Sequence, residues 1–398
     1  MKKDGKWFLK FFLPKLPLFI LFLPVVILIR CLRPLIWIRF FPISDRIGHA
    51  AGDVDMYVVE KKMGLYHSKA IDIFCASHLT KVNQQIVKLW SRVLPVSTLA
   101  HWVSWVNMEI PGWEAHYCFG RFDQSRDIYL LTYKTPPQVS FTPSENERGE
   151  ALLRSMGVPK GASIVCFHGR DSLYLADLVP GKDWSCHDFR DFSIGNYALA
   201  AQELVSRGYY VIRMGKIVKE KFPLVHPQVI DYANSPFRSD FADIYIIAQC
   251  HFFVGQSGIE SVARLFRKPV VYTNYIPVGY VHTWSDKFLT IIKLFRHRKE
   301  SRFLNFKEIF IEELRNAVAT KEYQDRDIEV LENSPEEIRD VVLEMEERLK
   351  EQWQSTEAQE GLQRQFWKLY PLDPRLHIVN KARMGTKFLE KYQDLLYQ

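Results

Sequence analysis

Apolar and polar positions along this chain alternate in a repeating strand-then-helix order. After an apolar opening, IRFFPIS at residues 38–44 has strand length, and RIGHAAGDVDMYVVEKKMG predicts a turn and a helix closing near Gly64. IDIFCAS at residues 71–77 predicts a second strand. In NQQIVKLWSRVLPV, Ile86, Leu89, Trp90 and Val93 share one helical face. This β-α-β-α order predicts a parallel sheet. Residues 102–120 are aromatic-rich and read as irregular. The Pro-rich stretch TYKTPPQVSFTPSENERGEALLRSMGVPKG reads as a connector carrying a capped helix after Ser144, with a domain boundary within residues 136–161. A second series comes next: strand SIVCFH, helix SIGNYALAAQELVSRG ending at Gly208, strands YYVIRMG and PQVIDYA, helix SDFADIYIIAQC, strand HFFVG, helix GIESVARLF and strand KPVVYTN. It predicts a doubly wound α/β domain. From Ser334 the chain reads as helical, with Ser334 and Glu337 in a capping-box pattern. The domain plan is therefore an N-terminal segment at 1–41, a first α/β domain at 42–155, a second at 156–330 and a helical extension at 331–398.

Composition adds that 398 residues, 47% hydrophobic and 14% aromatic, suffice for a large buried core, which excludes a disordered chain. The net charge of +7 favours an anionic partner. Much of that charge lies at the start, where Lys2, Lys3, Lys6, Lys10, Lys15, Arg30, Arg33 and Arg39 face only Asp4 before Asp45. Residues 16–29, LPLFILFLPVVILI, carry no charge and are flanked by Trp7, Phe8, Phe11, Phe12, Trp37, Phe40 and Phe41. A spanning helix needs about 20 apolar residues. This run is shorter, contains Pro17 and Pro24, and has cations on both sides, so it is expected to lie in or re-enter a membrane surface. No small-residue cleavage site follows it, so it is expected to be retained. The alternative is a buried helix of the fold.

Six cysteines, Cys31, Cys75, Cys118, Cys166, Cys186 and Cys250, show no CxxC or Cys/His ligand spacing. Neither a zinc site nor a disulfide framework is expected. Their apolar neighbours suit strands in a reducing compartment, which with the basic N-terminus points to the cytoplasmic face of a membrane. Beyond that segment no stretch combines a basic stripe with aromatics, which disfavours nucleic acid.

In open α/β sheets ligands bind beyond the carboxyl ends of the strands. Four polar strand-end loops stand out. In HFFVGQSGIESVARLFRKPVV, Ser257 is a natural helix N-cap, Glu260 its capping-box partner, and Gly258 permits close backbone approach. The free amides of that helix start, with Gln256 and Ser261 beside it, would suit a diphosphate. The plain alternative is a well-capped helix. In IVCFHGRDSLY, His168, Arg170 and Asp171 crowd a strand end, and an arginine there can grip phosphate oxygens through two parallel hydrogen bonds. In VIRMG, Arg213 fits either a ligand contact or a domain-interface salt bridge. Asn196, at the start of the following helix, is counted with the donor-side residues. In DRIGHAAGDVDMY, His49 is placed to deprotonate an acceptor hydroxyl, though a lone histidine also fits a structural role. Asp53 and Asp55 spell a DxD, but within a helix they point to different faces and do not share a metal.

These residues resemble known proteins. VGQSGIESVARLFRKPVV resembles the C-terminal donor-side element of GT-B glycosyltransferases, including heptosyltransferases and fucosyltransferases. FHGRD is similar to the histidine-x-arginine strand-end motif of the GT-B fucosyltransferases, without their paired arginines. Together RIGHAAGDVDMY, FHGRD, RDFSIGNYALAAQELVSRGYYVIRMG and FVGQSGIESV resemble a family of bacterial glycosyltransferases from surface-polysaccharide loci, over the chain from about Ser44 onward. The resemblance implies two Rossmann-type domains in a GT-B fold. The C-terminal domain would hold a nucleotide-sugar donor and the N-terminal domain a glycan or glycolipid acceptor. Cations and amides, in place of a metal or cofactor, would stabilise the leaving diphosphate. The competing classes are a nucleotide-sugar epimerase and a non-catalytic membrane adaptor of polysaccharide assembly.

Overall fold

A computed structural model of the chain describes residues 16–66, 69–76, 82–118, 127, 129–170, 172–178, 181–256, 258–371 and 380–397. It divides into two compact units: Met1–Asp123 with Gln138–Ser140, and Gln124–Pro137 with Phe141–Gln398.

The first unit is built on a parallel sheet of β1 (Trp37–Pro42), β2 (Ala70–Cys75) and β3 (Val96–Ser97), in that order, with Phe40 registered against Ile73. Between the strands run α2 (Ile47–Lys62) and α3 (Gln84–Trp90), after α1 (Leu16–Leu32) and before α4 (Thr98–Met108). Asn83 caps α3 and Ser97 caps α4 through their side chains. On the far side of β1 the winding reverses, but among the described residues only as a single parallel bridge from Phe40 to Tyr117. A full doubly wound first domain is therefore not formed by the described residues. The helix at 98–108 corrects the irregular reading of that stretch. Ala100, Val103, Ser104 and Asn107 are buried at helical spacing, while exposed Leu99 and half-buried Trp102 stand where polar residues would have marked the outer face. Val93, expected on the face of α3, lies beyond its end and is exposed.

The N-terminal apolar run is α1, and it is part of this unit's core. Val26 packs with Phe40, Cys75, Ala100, Val103 and Val106. Arg30 donates to Asn107 Oδ1 at 2.9 Å and to the carbonyls of Pro111 at 2.7 Å and Ile110 at 3.1 Å. Residues 16–41 are thus not separable from the rest of the first unit, because they carry α1 and most of β1. No helix among the described residues is long and apolar enough to cross a membrane.

The second unit carries a seven-stranded, all-parallel sheet in the order β13-β9-β8-β7-β4-β5-β6: Arg383–Met384, Phe288–Ile292, Val270–Tyr275, Phe252–Val254, Ile164–His168, Tyr210–Met214 and Val229–Ile230. Its central strands are apolar and buried, as expected of a parallel sheet covered on both faces. The chain starts at β4, winds out through β5 and β6, and returns to the other side of β4 for β7, β8 and β9. Those six strands have the dinucleotide-binding order, with its switch point between β4 and β7. The segment PQVIDYA contributes only the two residues of β6, while β9 and β13 extend the sheet beyond the sequence reading. The unit's helices include α5 (Pro143–Ser155), α6 (Leu173–Leu178), α7 (Ala198–Ser206), α8 (Asp240–Gln249), α9 (Glu260–Leu265), α10 (Pro335–Leu349) and α11 (Glu357–Leu369), besides several shorter ones. A small antiparallel sheet joins them, of β10 (Leu294–His297), β11 (Arg302–Phe303) and β12 (Ile328–Leu331). The residues from Ser334 onward are integral to it: α10 has the expected Ser334/Glu337 capping box, packs on α7, and is followed by the edge strand β13.

Candidate functional site

The carboxyl ends of β4 and β7 meet at the switch point. Gly255 follows β7 with φ of 142°, and a Cβ there would lie 2.5 Å from the carbonyl oxygen of His168, so only glycine lets these two strand ends close together. His168 Nδ1 lies 3.2 Å from the carbonyl of Gln256. A carbonyl only accepts, so Nδ1 carries the proton and Nε2 is the lone-pair nitrogen of a neutral ring. Burial, reinforced by the charge of Arg213, lowers the His168 pKa to about 4 even against that hydrogen bond, and Arg170 adds to the effect.

Arg170 begins the loop after β4. Its Nε lies 3.4 Å from Asp191 Oδ1, and its carbonyl accepts from the amide of Phe192 at 3.3 Å, so the segment around Asp191 is tied back to the end of β4. Lys293, directly after β9, holds the same segment from the other side: its Nζ donates to the carbonyls of Phe189 at 3.1 Å and Asp191 at 2.7 Å. Burial lowers its pKa to about 8.

The other donor-side expectations are redistributed. Gln256 Nε2 donates to the carbonyl of Asn274 at 2.6 Å while its Oε1 accepts from the amide of Ile276, so this side chain ties β7 to the end of β8. Arg213 lies within β5, is 1% exposed, and pairs with Asp231 at 3.0 Å. That pair lies within the second unit, and the charge of Arg213 also acts on His168. Asn196 Nδ2 donates to Glu332 at 2.9 Å.

The capping box expected at the next helix depends on Ser257, which lies outside the described residues. Gly258 has φ of 102°, and α9 starts only at Glu260, with Ile259 at the N-cap and no capping side chain. Asp171 also lies outside the described residues. At six residues α9 presents little macrodipole. Glu260 and Ser261 are buried, and Ser261 Oγ accepts from Arg264 at 2.7 Å, a buried arginine that also stands 5.8 Å from the Trp284 ring. These side chains serve packing beneath β7 and β8. No neighbour stands within 4 Å of a Cβ at Gly258, so a bulky substitution there strains the backbone and does not fill a pocket.

In the first unit, His49 occupies the first turn of α2, and its Nδ1 lies 2.9 Å from Asp53 Oδ2, one helical turn on. A carboxylate on Nδ1 orients an imidazole and leaves Nε2 to accept a proton. Asp53 thus acquires an orienting role that its DxD setting concealed. Asp55 is 2% exposed, on the opposite side of the helix, as the helical spacing requires.

Sequence reading missed Lys293, although an apolar run ending in a cation is the signal that singled out Arg213; the strand FLTII before it had not been assigned. It also missed Asp72, which ends up enclosed by Arg39, Tyr57 and Lys61.

The second unit is thus an open, doubly wound α/β sheet with His168 and Arg170 at the strand end beside its switch point. No family model matches the chain, and no curated protein matches it significantly. Similar solved structures include the E. coli ADP-heptose LPS heptosyltransferase II, at 15% identity and a TM-score of 0.36, over 65% of this chain and 90% of that one. Another is a glycosyl transferase family 9 structure from Veillonella parvula DSM 2008, at 10% identity and a TM-score of 0.28, over 60% of this chain and 67% of that one. At such identities the functional reading rests on the side chains of the switch point and of α2, and not on these likenesses.

Proposed function

We propose that the chain is a GT-B-type glycosyltransferase that moves a sugar from a nucleotide-sugar donor to a surface glycan or glycolipid acceptor. The observation that carries this is the switch point, where the end of β4, with neutral His168 followed by Arg170, meets the glycine turn after β7. The second unit takes the nucleotide diphosphate and the first supplies the base. His49 Nε2 accepts the proton of the acceptor hydroxyl as its oxygen bonds to the anomeric carbon. The bond from that carbon to the diphosphate breaks, and its electron pair leaves with the nucleoside diphosphate. Positive groups fixed before the reaction stabilise that developing charge without reorganising. A panel of nucleotide sugars and nucleoside diphosphates should contain members that raise the melting temperature of the full chain, since ligands that bind the native state stabilise it. If no member of the panel shifts the melt at millimolar concentration, the reading is lost.

The acceptor class is inferred from α1. Its inner side is in the core, while Ile20, Leu21, Val25, Ile27 and Leu28 lie on one outward stripe and are 40% to 64% exposed, continued by Leu35 at 85%. An exposed apolar stripe of this extent, beside exposed Arg33 and after the lysine-rich residues 2–15, suits the interface of an anionic bilayer, with the helix lying in its plane. We place the protein there as a monotopic enzyme of the cytoplasmic face. Leu21→Gln with Leu28→Gln should reduce co-sedimentation with anionic phospholipid vesicles at least about tenfold, each lost leucine forfeiting roughly 1.5–3 kcal/mol of burial. Both positions point away from the core, so the melt should not move. Unchanged vesicle binding would remove the membrane assignment.

A further inference from the structure

One cation near the switch point has no part in the proposed transfer. Arg190 is the last residue of a 3-10 turn, Ser185–Arg190, in the long connection between β4 and α7. That connection is fastened at several points. Phe192 bonds back to Arg170 after β4, Lys293 after β9 grips the carbonyls on both sides of Arg190, and Thr320 Oγ donates to the carbonyl of Ser185 at 2.7 Å. In the sheet, β7 and β8 lie between β4 and β9. The fastened segment therefore runs across the carboxyl edge above β7 and β8. The titratable groups electrostatically coupled to Arg190 are Arg170 after β4, then Tyr323, whose ring packs against Phe189, then Tyr275 and Tyr280 at and after the end of β8.

Arg190 makes no ion pair with a carboxylate among the described residues, and its Nε is buried without a hydrogen-bond partner. Its guanidinium packs over the Phe189 ring at 5.1 Å. The neighbouring carboxylate, Asp191, is engaged by Arg170. Burial, then repulsion from Arg170, pulls its pKa down to about 10, a penalty that the fold leaves uncompensated. An arginine rigidly held, partly desolvated and set beside another arginine is stabilised by an anion that both can reach. A planar guanidinium matches phosphate oxygens with paired donors, whereas an ammonium does not.

We propose that Arg190 and Arg170 together form an oxyanion site for a phosphate or diphosphate group at the switch point, with Lys293 positioning Arg190 through the backbone on either side of it. For its nucleotide form this rests on the proposed transferase function. The shared chemistry is the diphosphate, whether free or carried by a nucleoside.

The test is calorimetric titration of the full chain with UDP, GDP, ADP and inorganic pyrophosphate, comparing the unsubstituted protein with Arg190→Gln and Arg190→Lys. Charged hydrogen bonds to an anion predict that Arg190→Gln weakens binding of the diphosphate probes by roughly ten- to a hundredfold. Arg190→Lys should recover only part of that loss. Without ligand, Arg190→Gln should melt at or above the temperature of the unsubstituted protein, since it removes an uncompensated charge; a structural role would lower it. Unchanged affinity in Arg190→Gln overturns the site while leaving the transferase reading intact. Arg190-dependent binding of pyrophosphate with no binding of any nucleoside diphosphate upholds the site and removes the nucleotide donor. Failure of all four probes to bind the unsubstituted protein overturns both.

Discussion

Replacing Asp72 with alanine should destabilise the first unit by about 3–5 kcal/mol, the usual consequence of removing one partner from a buried ion pair. Asp72 sits on β2 directly opposite Arg39 on β1, and its side chain is fully buried. Arg39 Nε donates to Oδ1 at 2.7 Å, while Lys61 Nζ at 2.7 Å and the Tyr57 hydroxyl both donate to Oδ2. Burial alone would raise the carboxyl pKa, but these three donors, led by Arg39, outweigh it and hold the pKa below its ordinary value. That direction sets the sign of the pH dependence. A carboxylate whose pKa is depressed on folding contributes stability above the unfolded pKa near 4 and loses it as pH falls through the folded value. The gap between the unsubstituted protein and Asp72→Ala should therefore be full at pH 7 and close in acid. Hydrogen exchange of the β1 and β2 amides reads this unit separately from the other. The double replacement Arg39→Met with Asp72→Leu should recover most of the loss, because a buried pair replaced whole by apolar groups is often neutral. Protection unchanged to within about 0.5 kcal/mol in Asp72→Ala would show that the cluster carries no such weight.

His49→Ala should lower turnover by roughly 10²- to 10⁴-fold, the ordinary contribution of a general base, on whichever nucleotide sugar stabilises the protein. On the proposed reading the other unit takes the donor, so donor affinity should barely change. Asp53→Asn keeps an oxygen near Nδ1 but removes the charge that steadies the imidazolium, so it should lower turnover by a smaller factor and shift the acid limb of the pH–rate profile. A structural role would move the melt and leave that limb in place. Neither Asp55 nor Glu60 is a ready substitute base, since both are 2% exposed and Glu60 accepts from the Tyr66 hydroxyl. Near-normal turnover of His49→Ala would strike the base from the proposed mechanism.

How far the chain could be read in advance differed from element to element. Local patterns served well where local forces decide. The helix at 47–62, the cap and box at 334 and 337, and the continuous apolar runs of β4, β7 and β8 all appear where periodicity and capping chemistry put them. Asp53 and Asp55 part to opposite faces because helical geometry alone requires it. The helix at 98–108 escaped because Leu99 and Trp102 stand where polar residues would mark its outer face, so the contrast that periodicity detects was absent.

The site was legible only in outline. A strand-end rule pointed to the loops after β4 and β7, since chain order dictates where backbone turns and polar residues gather. The direction each side chain takes is not dictated by chain order. Arg213, Gln256, Ser261 and Asn196 each found a partner within the fold, because a polar group taken from water must be bonded by whatever packing brings within about 3 Å. Arg190, unremarkable in SCHDFR, became conspicuous only when Lys293, 103 positions later, fixed its backbone over the sheet edge. The sequence by itself thus determined the parallel α/β architecture and which strand ends carry polar chemistry. Tertiary structure alone decided which polar and charged groups are paired internally, because that depends on contacts between residues far apart in the chain.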